Sequence, residues 1–141
     1  MDSSAVSRPD IAVKAERAEG KPAFCAKAGF LRIDLPEGFE MTLDSMSDLW
    51  REGLDLARRT GIDRVLLEGG RVTRAMRPID AYRHGVLLSS LKPPGLRVAC
   101  CLREFEPDVV TWLFTRTANA GASRVEFFRN HDDALRWLGL R

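Results

Sequence analysis

The sequence predicts an α/β domain: a mixed, mostly parallel sheet with an N-terminal antiparallel hairpin and four helices, in the order ββαβαβαβα. Three observations carry this. Two short runs of strand character, AFCAK and FLRIDL, meet across Ala28 and Gly29, a tight hairpin connection. Beyond them, segments of helical period alternate with apolar runs such as Val65, Leu66 and Leu67 and the stretch LRVACCL. The helical segments also carry start and stop signals. Parallel strands joined by helices require right-handed crossovers, which fixes the hand of the later part of the sheet.

The first predicted helix spans about residues 44 to 60, where Met46, Leu49, Trp50, Gly53 and Ala57 recur at spacings of three and four. Thr42, Asp44 and Ser45 supply start signals. Gly61 is placed to end the helix in the left-handed conformation that glycine adopts cheaply. IDRVLLE follows as a strand covered on both faces. The second helix opens at Pro78 and stops before Pro93, Pro94 and Gly95, which cannot continue it. LRVACCL is a buried strand. Glu106, Pro107 and Asp108 then introduce a helix expected to carry Val109, Val110, Leu113, Phe114 and Thr117 on one side and to end at Asn119, Ala120 and Gly121. A strand, RVEFF, and a short helix from about 131 to 138, capped by Asn130 with Asp133 three residues on, complete the order.

The 141 residues have the size of one domain. Residues 22–141 are assigned to it, and residues 1–21, rich in Ser, Ala, Glu, Lys and Arg, to a flexible tail. No apolar run approaches the roughly 20 residues of a spanning helix. The N-terminus lacks the apolar core of a signal peptide, so a cytoplasmic protein without stable membrane insertion is expected.

The net charge of +2 is too small for a dedicated nucleic-acid binder, and no nucleic-acid partner is expected. The charge is uneven, however: residues 1–68 carry −3 and residues 69–141 carry +5. Cys100 and Cys101 are adjacent within an apolar run, and neither His84 nor His131 stands at a ligand interval from a cysteine. The thiols therefore read as reduced and buried, with no metal and no cofactor. No catalytic residue is assigned, because no G-x-S-x-G elbow or paired acid and base is present. His84, mid-helix beside Gly85, reads as a partly exposed surface residue, and His131 as a neighbour of a helix cap.

The order of elements, VLLE followed by a loop and RPIDAY, the strand LRVACCL, and the C-terminal TANAG and VEFFRNHDDALRWL together resemble the STAS domain family. The nearest likeness is to a divergent stand-alone branch similar to the anti-sigma factor antagonists. The resemblance covers roughly residues 22 to 140 and rests mainly on structural motifs. It implies a bacterial regulatory module, without chemistry of its own, that docks a partner through the region of its second helix. Signalling members carry a phosphorylated Ser at the start of that helix. This chain departs there: the loop GGRVTRAMRPID has Thr73 as its only hydroxyl.

Two binding regions follow. Thr73 and the helical residues Ile79, Tyr82, Val86 and Leu88 are expected to meet a protein partner or a second copy of the chain. The helix holds more apolar residues, Leu87 and Leu91 included, than one sheet-facing stripe needs. The alternative is a small-molecule or lipid carrier or sensor, with an anion held at the carboxyl ends of the parallel strands by Gly69, Gly70, Arg71, Arg74 and Arg77. There the loops at 69–78, 103–106 and 129–131 should meet. Against it, three Arg at spacing three also read as a solvated face paired with Glu68, Glu104, Glu106 and Asp132.

Overall fold

The computed structural model describes residues 20–104, 107–121 and 123–140. All but the last two residues of the expected tail, and Glu106 of the expected rim, lie outside that range. In chain order the elements are β1 (Ala23–Lys27), β2 (Phe30–Asp34), β3 (Phe39–Met41), α1 (Leu43–Thr60), β4 (Arg64–Gly69), β5 (Val72–Arg74), α2 (Pro78–Leu91), β6 (Arg97–Leu102), α3 (Val109–Ala118), β7 (Arg124–Phe128) and α4 (His131–Trp137). Among the described residues the fold is α/β, with four helices and a mixed sheet.

Five strands form the main sheet in the order β1-β2-β4-β6-β7. β1 and β2 are antiparallel, with Lys27 opposite Phe30 across the two-residue turn. The remaining neighbours are parallel. β3 and β5, three residues each, interrupt the expected order and pair with one another as a separate parallel ribbon, Phe39 opposite Val72 and Met41 opposite Arg74. Both segments are too short to show a period, and each is extended because the other supplies its hydrogen-bonding edge.

Alternation along the central strands sorts the core into two layers. Val65, Leu67, Val98 and Cys100 face α1, α2 and α3, whereas Leu66, Ala99 and Cys101 face α4 through Ala134, Leu135 and Leu138. Burying each Val or Leu contributes about 1.5–3 kcal/mol, so the run of consecutive apolar residues in β4 stabilises both layers. Among the described residues no helix is long and apolar enough to cross a membrane.

The ends of α1 follow its local sequence. Ser45 N–H donates to Thr42 Oγ1 at 3.0 Å and Thr42 N–H to Ser45 Oγ at 2.9 Å, a reciprocal cap. At the other end Gly61 takes φ +71° and its N–H returns to the carbonyls of Ala57 and Arg58.

The buried sides of α2 and α3 differ from expectation. α2 turns Ala81, His84, Gly85 and Leu88 inward. Leu88, expected on the partner face, is fully buried, because it stands seven residues from Ala81 on the side that meets the sheet. α3 buries Thr111, Phe114 and Ala118, while Val109, expected to face inward, is exposed. The cause is the contact between the two helices. At Gly85 the backbones approach so closely that a Cβ would lie 2.8 Å from Phe114 O and overlap Thr117 Oγ1. This approach brings Phe114 beneath α2 and turns Val109 and Trp112 outward.

Candidate functional site

Three places were marked by the sequence or emerge from the packing: the basic rim, the outer side of α2 and α3, and a cavity beneath them.

At the rim, the carboxyl ends of β4 and β6 and the start of α4 come together. Glu68, Gly69, Gly70, Arg103, Arg129, Asn130 and His131 line one shallow depression with Asp34. Gly70 lies against the Arg103 guanidinium, as the shared border requires. The three loop arginines do not converge on it. Arg71 pairs with Glu37 at 3.7 Å, Arg74 with Asp108, and Arg77 with Asp80 at 3.1 Å. None of these acids is one the sequence suggested. Arg74 is carried away by β5, whose pairing with β3 aims it toward α3, and Arg77 is held by the first turn of α2. The hydrogen bonds from Arg77 keep the Asp80 carboxyl below the ordinary carboxylate range. On the rim itself Glu68 takes Arg32 at 2.8 Å and also meets His131 Nδ1. Arg71, Arg74 and Arg77 are thus paired away from the depression, whereas Arg103 and Arg129 line it.

The outer side of α2 and α3 is different. Ile79, Tyr82, Val86, Val109 and Trp112 are the large hydrophobic residues exposed to solvent among the described residues, and all five stand on these two helices. Tyr82 is 48% exposed and Trp112 57%. On α2 they fall at positions i, i+3 and i+7, with Arg83 at i+4, and on α3 Val109, Trp112 and Arg116 repeat the same spacing. The Arg116 guanidinium lies 5.2 Å from the Trp112 ring centroid. Ile79, Tyr82 and Val86 are where the sequence placed them. Thr73 is exposed on β5, opposite Glu40 in the short ribbon. Val109 departs from its expected inward side, and Trp112, which the expected inward set leaves out, is exposed beside it.

Beneath the two helices lies a cavity of about 200 Å³. Its walls are Met41, Met46, Met76, Trp50, Leu67, Val72, Leu102, Val110, Phe114 and Phe127, with His84 and Thr111 among them and Arg74 and Glu104 at the solvent side. His84 is 4% exposed, which corrects its expected place on the surface. Its Nε2 accepts from Trp50 Nε1 at 2.7 Å, and its ring stacks on Phe114 with centroids 4.2 Å apart. Burial pushes the His84 imidazole down to about 3, so it is neutral in ordinary buffers. The signal was present in the spacing: Ala81, His84 and Leu88 share one side of the helix, but the apolar residues all round α2 hid which side faces inward.

Two further buried groups, Lys92 and Cys100, are held in their ordinary packing. Lys92 Nζ donates to Ala118 O at 2.6 Å at the end of α3, and burial lowers its ammonium to about 8. Burial drives the Cys100 thiol up to about 12, which keeps it protonated and unreactive. Among the described residues no group of three His, Cys, Asp or Glu is placed to hold a metal ion. The chain matches no protein-family model, and no curated protein is significantly similar to it.

Proposed function

We propose that the chain is a non-catalytic, STAS-like regulatory module that docks a protein partner through the outer sides of α2 and α3, and that the partner presents an apolar segment flanked by acidic side chains. The observation that carries this reading is the gathering of Ile79, Tyr82, Val86, Val109 and Trp112 on one helical layer while α1 and α4 keep charged outer sides. A contiguous apolar patch on a small protein marks an interaction surface, and Tyr, Trp and Arg are the residue types that dominate binding energy at such surfaces.

The arginines choose the chemistry of the partner. Among the described residues neither Arg83 nor Arg116 forms a salt bridge, and both sit within the apolar stripes. A second copy packed about a two-fold axis would set these cations against their own kind, whereas an acidic partner neutralises them. The STAS resemblance points to the same helix, and the stand-alone members it names are regulators rather than enzymes.

The test is photocrosslinking from a benzoylphenylalanine placed at position 112 in the native host, with position 52 of α1 as the exposed control. A partner crosslinked from 112 is identified and its binding measured by calorimetry. Tyr82→Ala and Trp112→Ala are expected to weaken it at least tenfold, and Arg116→Glu likewise. The reading is overturned if position 112 gives no product beyond that from position 52, if it crosslinks only to a second copy, or if the partner binds all three variants as well as the wild type.

A further inference from the structure

We propose that the cavity beneath α2 and α3 is a binding site for a small uncharged molecule with a compact aromatic or aliphatic body and a single hydrogen-bond acceptor, which His84 Nδ1–H engages. This stands apart from the docking surface above and does not depend on it.

The space comes first. Protein interiors pack as densely as organic crystals and leave few voids larger than a water molecule. A cavity of about 200 Å³ exceeds the roughly 150 Å³ of a hole that accepts benzene. Three methionines, Met41, Met46 and Met76, line it. Their unbranched, polarisable side chains adapt to the outline of a guest.

The polar atom comes second, and its identity follows from its neighbour. An indole N–H only donates, so the 2.7 Å bond from Trp50 fixes His84 Nε2 as an acceptor. In the neutral ring the proton must then reside on Nδ1. Among the described residues nothing accepts from that N–H, although the ring is almost wholly buried and lines the cavity. A buried donor without an acceptor is costly, and a guest that brings a carbonyl or ether oxygen removes that cost.

Charge decides the third point. Arg74, the cation at the mouth, is engaged by Asp108 and donates to Thr111 Oγ1 at 3.0 Å. Glu104 adds a negative charge on the same side. A carboxylate guest would lose its hydration and gain no free cation, so the ligand class is neutral. A single water is a poorer occupant, because it needs two to four polar partners and most of this wall is apolar.

The test compares three probes of similar shape on the intact chain by chemical-shift perturbation: acetophenone, isopropylbenzene and benzoate. Acetophenone is expected to shift the Trp50 indole and His84 ring signals and to bind at least tenfold more tightly than either of the others. His84→Phe keeps the ring and its stacking on Phe114 but lacks the donor and also frees the Trp50 N–H, so it is combined with Trp50→Phe, and the double variant should bind acetophenone and isopropylbenzene equally. Val110→Phe narrows the cavity without touching the His84–Trp50 pair, and it should abolish binding of all three. Equal affinity of the wild type for acetophenone and isopropylbenzene overturns the assignment. So do shifts confined to Trp112 on the outer surface, no binding of acetophenone at millimolar concentration, or unchanged binding by Val110→Phe.

Discussion

Helices α1 and α2 cover the same side of the sheet, yet they distribute their residues in opposite ways. α1 buries Met46, Leu49, Trp50 and Leu54 and lines its outside with charge, where Asp55 pairs with both Arg58 and Arg59. α2 buries Ala81, His84 and Gly85 beside Leu88 and sends Ile79, Tyr82 and Val86 into solvent. A helix selected only for stability resembles α1. The inversion in α2 accounts for two features at once. Ala81 and His84 inside border the cavity, and the large apolar residues outside form the surface proposed to dock a partner.

The largest consequence of that inversion concerns acid. His84 is held neutral by burial, with a folded value of about 3 against an unfolded value near 6.5. Between these values the unfolded chain binds the extra proton, so stability falls as pH drops from 6.5 toward 3 and is fully present above 6.5. The loss reaches about 4 kcal/mol by pH 3. Urea unfolding measured from pH 7 to pH 3 should show this steep decline in the wild type and a shallower one in His84→Phe. Asp108, held down to about 2 chiefly by its hydrogen bonds from Arg74, loses its contribution only below about pH 4, and both proteins share that part. Parallel curves for the two proteins would mean that His84 is not kept neutral by its surroundings.

A second contrast lies within α2. Leu88→Ala removes a fully buried side chain and should cost about 3 kcal/mol. Val86→Ala, two residues away on the outer side, should stay within about 0.5 kcal/mol of the wild type. Chemical denaturation of both variants measures the difference, and equal losses would show that the outer side is covered in solution.

Next in size is Gly85→Ala. In an isolated helix the change is favourable by about 1 kcal/mol. Here the new methyl meets Thr117 and the Phe114 carbonyl, so the net result should be a loss of about 1–2 kcal/mol. The double variant Gly85→Ala, Thr117→Ala should recover part of that loss, since the hydroxyl is the nearer obstacle.

These contrasts also separate what local sequence specifies from what it leaves open. The hairpin at Ala28 and Gly29, the reciprocal cap at Thr42 and Ser45, the stop at Gly61 and the start at Pro78 were all legible, because each is decided by residues a few positions apart. The β3–β5 ribbon was not, since its pairing joins residues 33 apart, Phe39 with Val72, and neither run is long enough to show alternation. The same distance hid the fate of the loop arginines. Arg71 finds Glu37 and Arg74 finds Asp108, partners brought near only by that ribbon and by the turn of α3. His84 and Val109 were misjudged for a related reason. Which side of a helix faces inward is set by the neighbour it packs on, and Gly85 draws α3 close enough to choose it.

The smallest expected change in stability comes from the outer residues themselves, and its smallness is informative. Ile79, Tyr82 and Trp112 are about half exposed, so Ile79→Ser, Tyr82→Ser and Trp112→Ser should each cost no more than about 1 kcal/mol of unfolding free energy. If these side chains serve a partner, the cost of their exposure is borne for binding and not for folding. The triple variant should therefore still unfold in one cooperative transition while resisting aggregation better, as light scattering of heated samples would record. Should it instead be markedly less stable, these residues belong to packing that the isolated chain already has, and α2 would cease to differ from α1 in kind.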